Sequence, residues 1–202
     1  MEKKFKEFLG ESPQAIIDNW SGFSTKLSRI GKGGVKDNWN FIDAFNHNGK
    51  PVELYKSKNT HKYILGAWAH EGSKEVFVVI TTLNILPRPD LERFMEEPIQ
   101  MSEVETANDF RNMGFSKILY SWFLFRGYTV ISDRTQYNYI RKTYDRLSKN
   151  DNVRADLFDD ENKVFIKKDI DVDSGEEDWD FDSELWSINT DKSHLLICLS
   201  KV

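Results

Sequence analysis

Three runs rich in β-branched and aromatic residues, PVELYKSK, HKYILGAWAH and KEVFVVITTLNIL, follow one another between residues 51 and 86. Only NT and EGS separate them. Links this short leave no length for a crossover, so successive runs must pair as an antiparallel meander of three strands. The texture then changes. PRPDLERFMEEP reads as a loop with one helical turn, and IQMSEVETA alternates apolar and polar residues as a fourth strand. SKILYSWFLFRG predicts a helix with Ile118, Leu119, Trp122 and Phe123 on one side and Gly127 at its end. YTVIS is a buried strand and TQYNYIRKTYDRLSK a second helix, while NVRADLF, KVFIKKDI and HLLICLSKV are closing strands. The expected class is α+β: a mixed, mostly antiparallel twisted sheet flanked by helices.

Residues 1–50 read as a helical and loop extension preceding a domain over 51–202. EKKFKEFL predicts a short amphipathic helix, and SPQAIIDNWSGFSTKLSRI a second, with Ser12 as cap and Pro13 in the first turn. IGKGGVKDNWNFIDAFNHNGK is broken by glycines and asparagines and is expected to be loop with short elements. Its GKGG lacks the Lys-Ser/Thr ending of a nucleotide loop and reads as a turn. Residues 169–184, DIDVDSGEEDWDFDSE, carry nine acidic residues and no basic one, the pattern of a solvated or disordered insertion.

Apolar residues make up 39% of the chain, a lean share, yet 14 Phe, 7 Tyr and 6 Trp supply the bulk for a core. The net charge of -5 gives no general attraction to nucleic acid or anionic lipid, though it leaves room for a local basic patch. Cys198 is the only cysteine, so neither an internal disulfide nor a cysteine zinc site is available, and HLLICLS places it in a buried strand. His47, His61, His70 and His194 lack metal-ligand spacing, so no metal is expected. The charged start and the absence of any apolar run near 18 residues point to a cytoplasmic chain that uses no membrane.

RNMGFS, residues 111–116, stands between the fourth strand and the first long helix. A helix start presents unpaired N–H donors and the positive end of the helix dipole. A pyrophosphate docks there if the backbone can come close, which Gly114 permits by lacking a Cβ. Ser116 is small and adds a hydroxyl, and Arg111 adds a cation. The other reading is a glycine that turns the chain before a capped helix, and the hexapeptide alone leaves both open.

With its neighbours, the stretch resembles the GNAT (GCN5-related N-acetyltransferase) superfamily, whose signature is Gln/Arg-x-x-Gly-x-Gly/Ala. Arg111, Gly114 and Ser116 fall on the marked positions, and GYTVISDRTQ followed by TYDRLSK looks most like GNAT-type proteins of bacteriophages. The likeness covers roughly residues 50–168 and the last strand. It implies acetyl-CoA as co-substrate, bound by Thr106, Arg111, Asn112, Met113, Gly114, Phe115 and Ser116. It also implies direct acetyl transfer to an amine of a small molecule, a protein or a nucleobase, in a bacterial host cytoplasm if the chain is phage-encoded. A backbone N–H near Glu105 or Thr106 would polarise the thioester carbonyl, and Tyr144 would protonate the leaving thiolate, unless it is only a core aromatic. Glu103 or Glu105 would be the base. The chain departs from the family in having Tyr137 and Ile140 where asparagine and alanine are frequent.

Three functions follow. The first is an acyl-CoA-dependent N-acyltransferase. The second is a catalytically silent GNAT-like phage protein that blocks a host macromolecule as counter-defence. The third is an acidic module whose residues 169–184 engage a basic host protein. A homodimer is left open.

Overall fold

A computed structural model describes residues 29–47, 49–71, 73–107, 110–111, 113–132, 138–170 and 195–202. The helices expected before residue 29, Asn112, Tyr137 and the acidic segment beyond Ile170 lie outside the described residues. Within them the sheet is mixed and mostly antiparallel, with few helices. The chain divides into two compact units, one comprising residues 29–85 and 103–119, the other residues 86–102, 120–170 and 195–202.

In the first unit, β1 (Arg29–Gly31), α1 (Lys32–Asn38) and β2 (Trp39–His47) precede the expected meander of β3 (Lys50–Ser57), β4 (Lys62–Glu71) and β5 (Lys74–Pro87). β2 pairs with β3, β3 with β4 and β4 with β5, all antiparallel, and β1 also pairs with β5. The sheet therefore includes Arg29–Gly31, the first two of which were expected to end a helix, and Trp39–His47, where loop with short elements was expected. Trp39, Phe41, Ile42 and Phe45 are good strand formers, and their pairing with β3 outweighs the asparagines among them. α1 forms despite Gly33 and Gly34 because Val35, 2% exposed, is anchored in a cluster with Tyr55, Ile64, Phe77 and Val79. Burying a side chain such as Val35 is worth about 1.5–3 kcal/mol, enough to offset the roughly 2 kcal/mol that two helical glycines cost.

Two bulges set the faces of this sheet. Phe41 pairs with Tyr55 but Asp43 with Leu54, so Ile42 is an extra residue. Trp39 and Phe41 consequently share the face of Tyr55, whereas Phe45 and His47 turn to the opposite face with Val52. The second bulge lies where Leu65 pairs with Thr81 and Gly66 with Val79. A Cβ on Gly66 would sit 2.2 Å from the Val78 carbonyl oxygen, so only glycine fits.

In the second unit, the turn Pro89–Leu91 leads to β6 (Pro98–Thr106), whose first residues pair parallel with β7 (Thr129–Ile131). β10 (Leu195–Lys201) lies between β7 and β8 (Val153–Asp159), antiparallel to both, and β9 (Val164–Lys167) pairs with β8. β6 runs on from this unit into the other, as does α2 (Phe115–Phe125) in the reverse sense. α2 closes with Gly127 at φ 93°, the Tyr128 N–H donating to the Phe123 carbonyl and the Gly127 N–H to that of Leu124. It is buried more widely than one side: Tyr120, Ser121 and Leu124 are enclosed along with the four residues expected. α3 (Asn138–Ser148) follows β7.

The apolar centre of this unit is Leu91, Ile131, Phe158, Leu196 and Cys198. Cys198 is buried as expected, and burial pushes its thiol up, away from the reactive thiolate. Beside it runs an ion network. Arg88 Nε and Nη2 donate to the two Asp90 oxygens at 2.9 and 2.7 Å, and Nη2 also donates to Asp160 at 2.7 Å. Lys163 donates to Asp160 at 2.6 Å, and Arg88 Nη1 to Gln100 at 3.3 Å. The Asp160 side chain is wholly enclosed, so Arg88 and Lys163 offset its desolvation and tie the Pro89–Leu91 turn to the β8–β9 hairpin.

Candidate functional site

The site expected from the sequence centres on the segment between β6 and α2. The Ala107 N–H donates to the carbonyl of the bulge residue Ile80 at 2.9 Å, and the Phe110 N–H to Ala107 at 2.8 Å, so the chain leaves the sheet in a tight turn. Gly114 then has φ 84°, in the left-handed region where a side chain is strained, and α2 starts at the next residue. Its carbonyl accepts the first helical hydrogen bond, from the Ile118 N–H at 3.1 Å. The backbone N–H groups of the first turn have no intrahelical acceptor by construction.

Several expected residues come together here. Thr106 Oγ1 lies 3.0 Å from Ser116 Oγ and 3.1 Å from Thr81 Oγ1, a row of three hydroxyls tying β5, β6 and α2. Arg111 is exposed, and its Nε donates to the Thr106 carbonyl at 3.4 Å. Phe115 is enclosed with its ring edge-to-face on Phe110, so its part in the site can only be through its backbone. Met113 is half-buried, and Asn112 lies outside the described residues.

Sequence reasoning passed over His47. Turned to this face by the Ile42 bulge, it is 3% exposed, stacks against Phe115 at 4.5 Å and shares a hydrogen bond with the Met113 backbone. Burial lowers its pKa, and the Met113 bond opposes that shift. The imidazole thus holds the loop from beneath. Its only signal in the sequence was a lone histidine ending an aromatic run, which says nothing of a partner 66 residues on.

The expected catalytic groups are spread differently. Glu103 and Glu105 are both exposed and alternate with half-buried Val104, as strand residues on one side should. Glu103 accepts a hydrogen bond from the Asn84 side-chain amide. Tyr144, in the other unit, is fully enclosed, its ring edge-to-face with Tyr120 at 5.7 Å. Among the described residues no group of His, Cys, Asp or Glu could hold a metal ion, and no helix is long and apolar enough to cross a membrane.

The arrangement offers a helix start, a glycine that lets an anion approach the backbone and an exposed guanidinium, a donor set suited to phosphate oxygens. No protein-family model, curated protein or solved structure matches the chain.

Proposed function

We propose that the chain is an acyl-CoA-dependent N-acyltransferase of GNAT type, with the coenzyme pyrophosphate held at residues 111–116. The observation that supports this best is Gly114 at φ 84° directly before α2. A left-handed residue at that point lets the first-turn N–H groups be reached by a ligand, and no bulky residue would be tolerated there. Arg111 adds the charge. The acceptor amine attacks the thioester carbonyl, the N–C bond forms as the C–S bond breaks, and Glu103 or Glu105 takes the amine proton. The leaving thiolate is protonated as it departs, a role the family resemblance gives to Tyr144.

Saturating CoA should raise the melting temperature. A ligand at 100 times its Kd stabilises the fold by about 2.7 kcal/mol, or about 5–10 °C for a domain of this size. Gly114→Asn keeps a residue that tolerates left-handed backbone but puts a side chain where phosphate would sit. It should fold and lose at least about tenfold in CoA affinity. A wild-type protein that shows no shift with millimolar CoA, or a folded Gly114→Asn with undiminished affinity, refutes the proposal.

The enclosure of Tyr144 favours a second reading, in which the same scaffold binds a macromolecule without catalysis. CoA binding with no acetyl transfer to any amine panel would select it. Residues 171–184 of the acidic segment, which would serve the third reading, lie outside those described.

A further inference from the structure

The face of the first unit's sheet opposite His47 carries a second site. α1, β2, β3 and β4 shape an open cavity of about 360 Å³, walled by Trp39, Phe41 and Trp68 and rimmed by Lys32, Lys36 and Lys58. Among the described residues lining it there is no carboxylate. That is a sharp local departure for a chain of net charge -5: residues 29–85 hold eight Lys and Arg against five Asp and Glu.

The aromatic wall is built from behind. Tyr55, in its floor, donates to Glu53 at 2.6 Å, and Trp68 Nε1 donates to the same carboxylate oxygen at 2.9 Å. Both rings also pack edge-to-face on fully enclosed Phe77, at 5.1 and 5.3 Å. Phe41 stands on this support, its ring edge-to-face with Tyr55 at 5.7 Å, yet it is 56% exposed. It is kept on this face by the Ile42 bulge, on the strand that forms the outer edge of the unit's sheet. Lys58 is pinned by its bond to the Lys36 carbonyl at 2.6 Å, and Lys32 pairs with Glu75 beside the cavity.

A rigidly backed but uncovered ring beside three ammonium groups matches a ligand that presents a flat π-face and phosphate within one residue's reach. We infer that this surface binds single-stranded nucleic acid, one base stacking on Phe41 and the adjoining phosphates lying against Lys32, Lys36 and Lys58. A duplex hides its base faces and is excluded from the stacking contact. The openness of the site along an edge strand lets a polynucleotide run through it, where a closed pocket would take a mononucleotide alone. The inference uses none of residues 111–116 and is independent of the acyl-transfer reading.

The test is fluorescence anisotropy of a labelled twelve-nucleotide oligothymidylate against a duplex of equal length, with thymidine monophosphate as competitor. The expected result is binding of the single strand, at least about tenfold weaker binding of the duplex, and little competition by the mononucleotide. Phe41→Ala, at an exposed position where truncation spares the core, should weaken binding about 5- to 100-fold. Lys36→Gln should lower the slope of log affinity against log salt by about 0.7. Absence of binding at low salt, equal affinity for the duplex, equal competition by the mononucleotide or indifference to Phe41→Ala would each overturn the inference.

Discussion

Replacing Arg88 with methionine removes a guanidinium that donates to Asp90 twice, to Asp160 once and to Gln100 once. The Asp90 carboxylate is 48% exposed and can turn to water, so its loss matters little. Asp160 cannot, because its side chain is wholly enclosed, and with Arg88 gone the charge that Lys163 offsets is no longer shared between two cations. Breaking a buried pair from one side costs about 3–5 kcal/mol. With about 2–4 °C per kcal/mol for a domain of this size, Arg88→Met should lower the melting temperature by about 6–20 °C. Adding Asp160→Leu removes the stranded charge, so the double variant should recover at least about half of that loss. Urea titrations of the wild type, both single variants and the double variant give the coupling directly, provided the slope with urea is unchanged. A single variant that costs less than about 1 kcal/mol, or a double variant that costs the sum of the singles, would show that the network does not hold the turn as argued.

Gly66→Ala should destabilise by several kcal/mol, since its Cβ meets a backbone oxygen at 2.2 Å, whereas Gly31→Ala, with nothing within 4 Å, should be nearly neutral; similar thermal midpoints for the two would contradict the close approach. The folded-state pKa of His47 is lowered from 6.5, so the unfolded chain takes up its proton first. The stabilisation that goes with the neutral ring is present above 6.5 and is lost as pH falls below it; His47→Gln should flatten the urea midpoint between pH 7.5 and 5.5, and parallel profiles would count against this. Asp90 is held well below the usual carboxylate range, first by its bond to Arg88, so its share of stability persists to lower pH and fades only below about 4. Tyr144→Phe should reduce acetyl transfer by about 10²- to 10⁴-fold with CoA affinity unchanged, and undiminished turnover would leave Tyr144 a core residue.

The meander, the fourth strand, both helices after it and the closing strands were legible because their signals are local: short turns, alternation and apolar periodicity. β2 and α1 were not, because propensity there opposes the outcome. KGGVKDN is a poor helix until Val35 finds its cluster, and the asparagines of β2 are tolerated only because β3 offers a partner. Bulges at Ile42 and Ile80 leave no mark in a pattern read residue by residue, yet the one at Ile42 decides which face His47 and Phe41 occupy. The glycine and helix start of the candidate site were readable. The hydroxyl row from Thr81 through Thr106 to Ser116 was not, and neither was the ion pair between Arg88 and Asp160, 72 residues apart. Such partners are chosen by the fold, and nothing in the neighbouring residues announces them.

The position of β10 has a consequence for how the chain is made. Among the described strands it follows β8 and β9 in sequence, yet it occupies the place between β7 and β8. At translation rates of about 5–20 residues per second, the interval between the end of β9 at Lys167 and the start of β10 at Leu195 lasts about 1.5–6 s. Until β10 pairs, the edge of β8 that faces it lacks its sheet partner, and the backbone groups on that side have only water to bond. Such an edge recruits any strand that reaches it, including that of another nascent copy. A chain of this design is most exposed to misassembly before β10 has paired with β7 and β8.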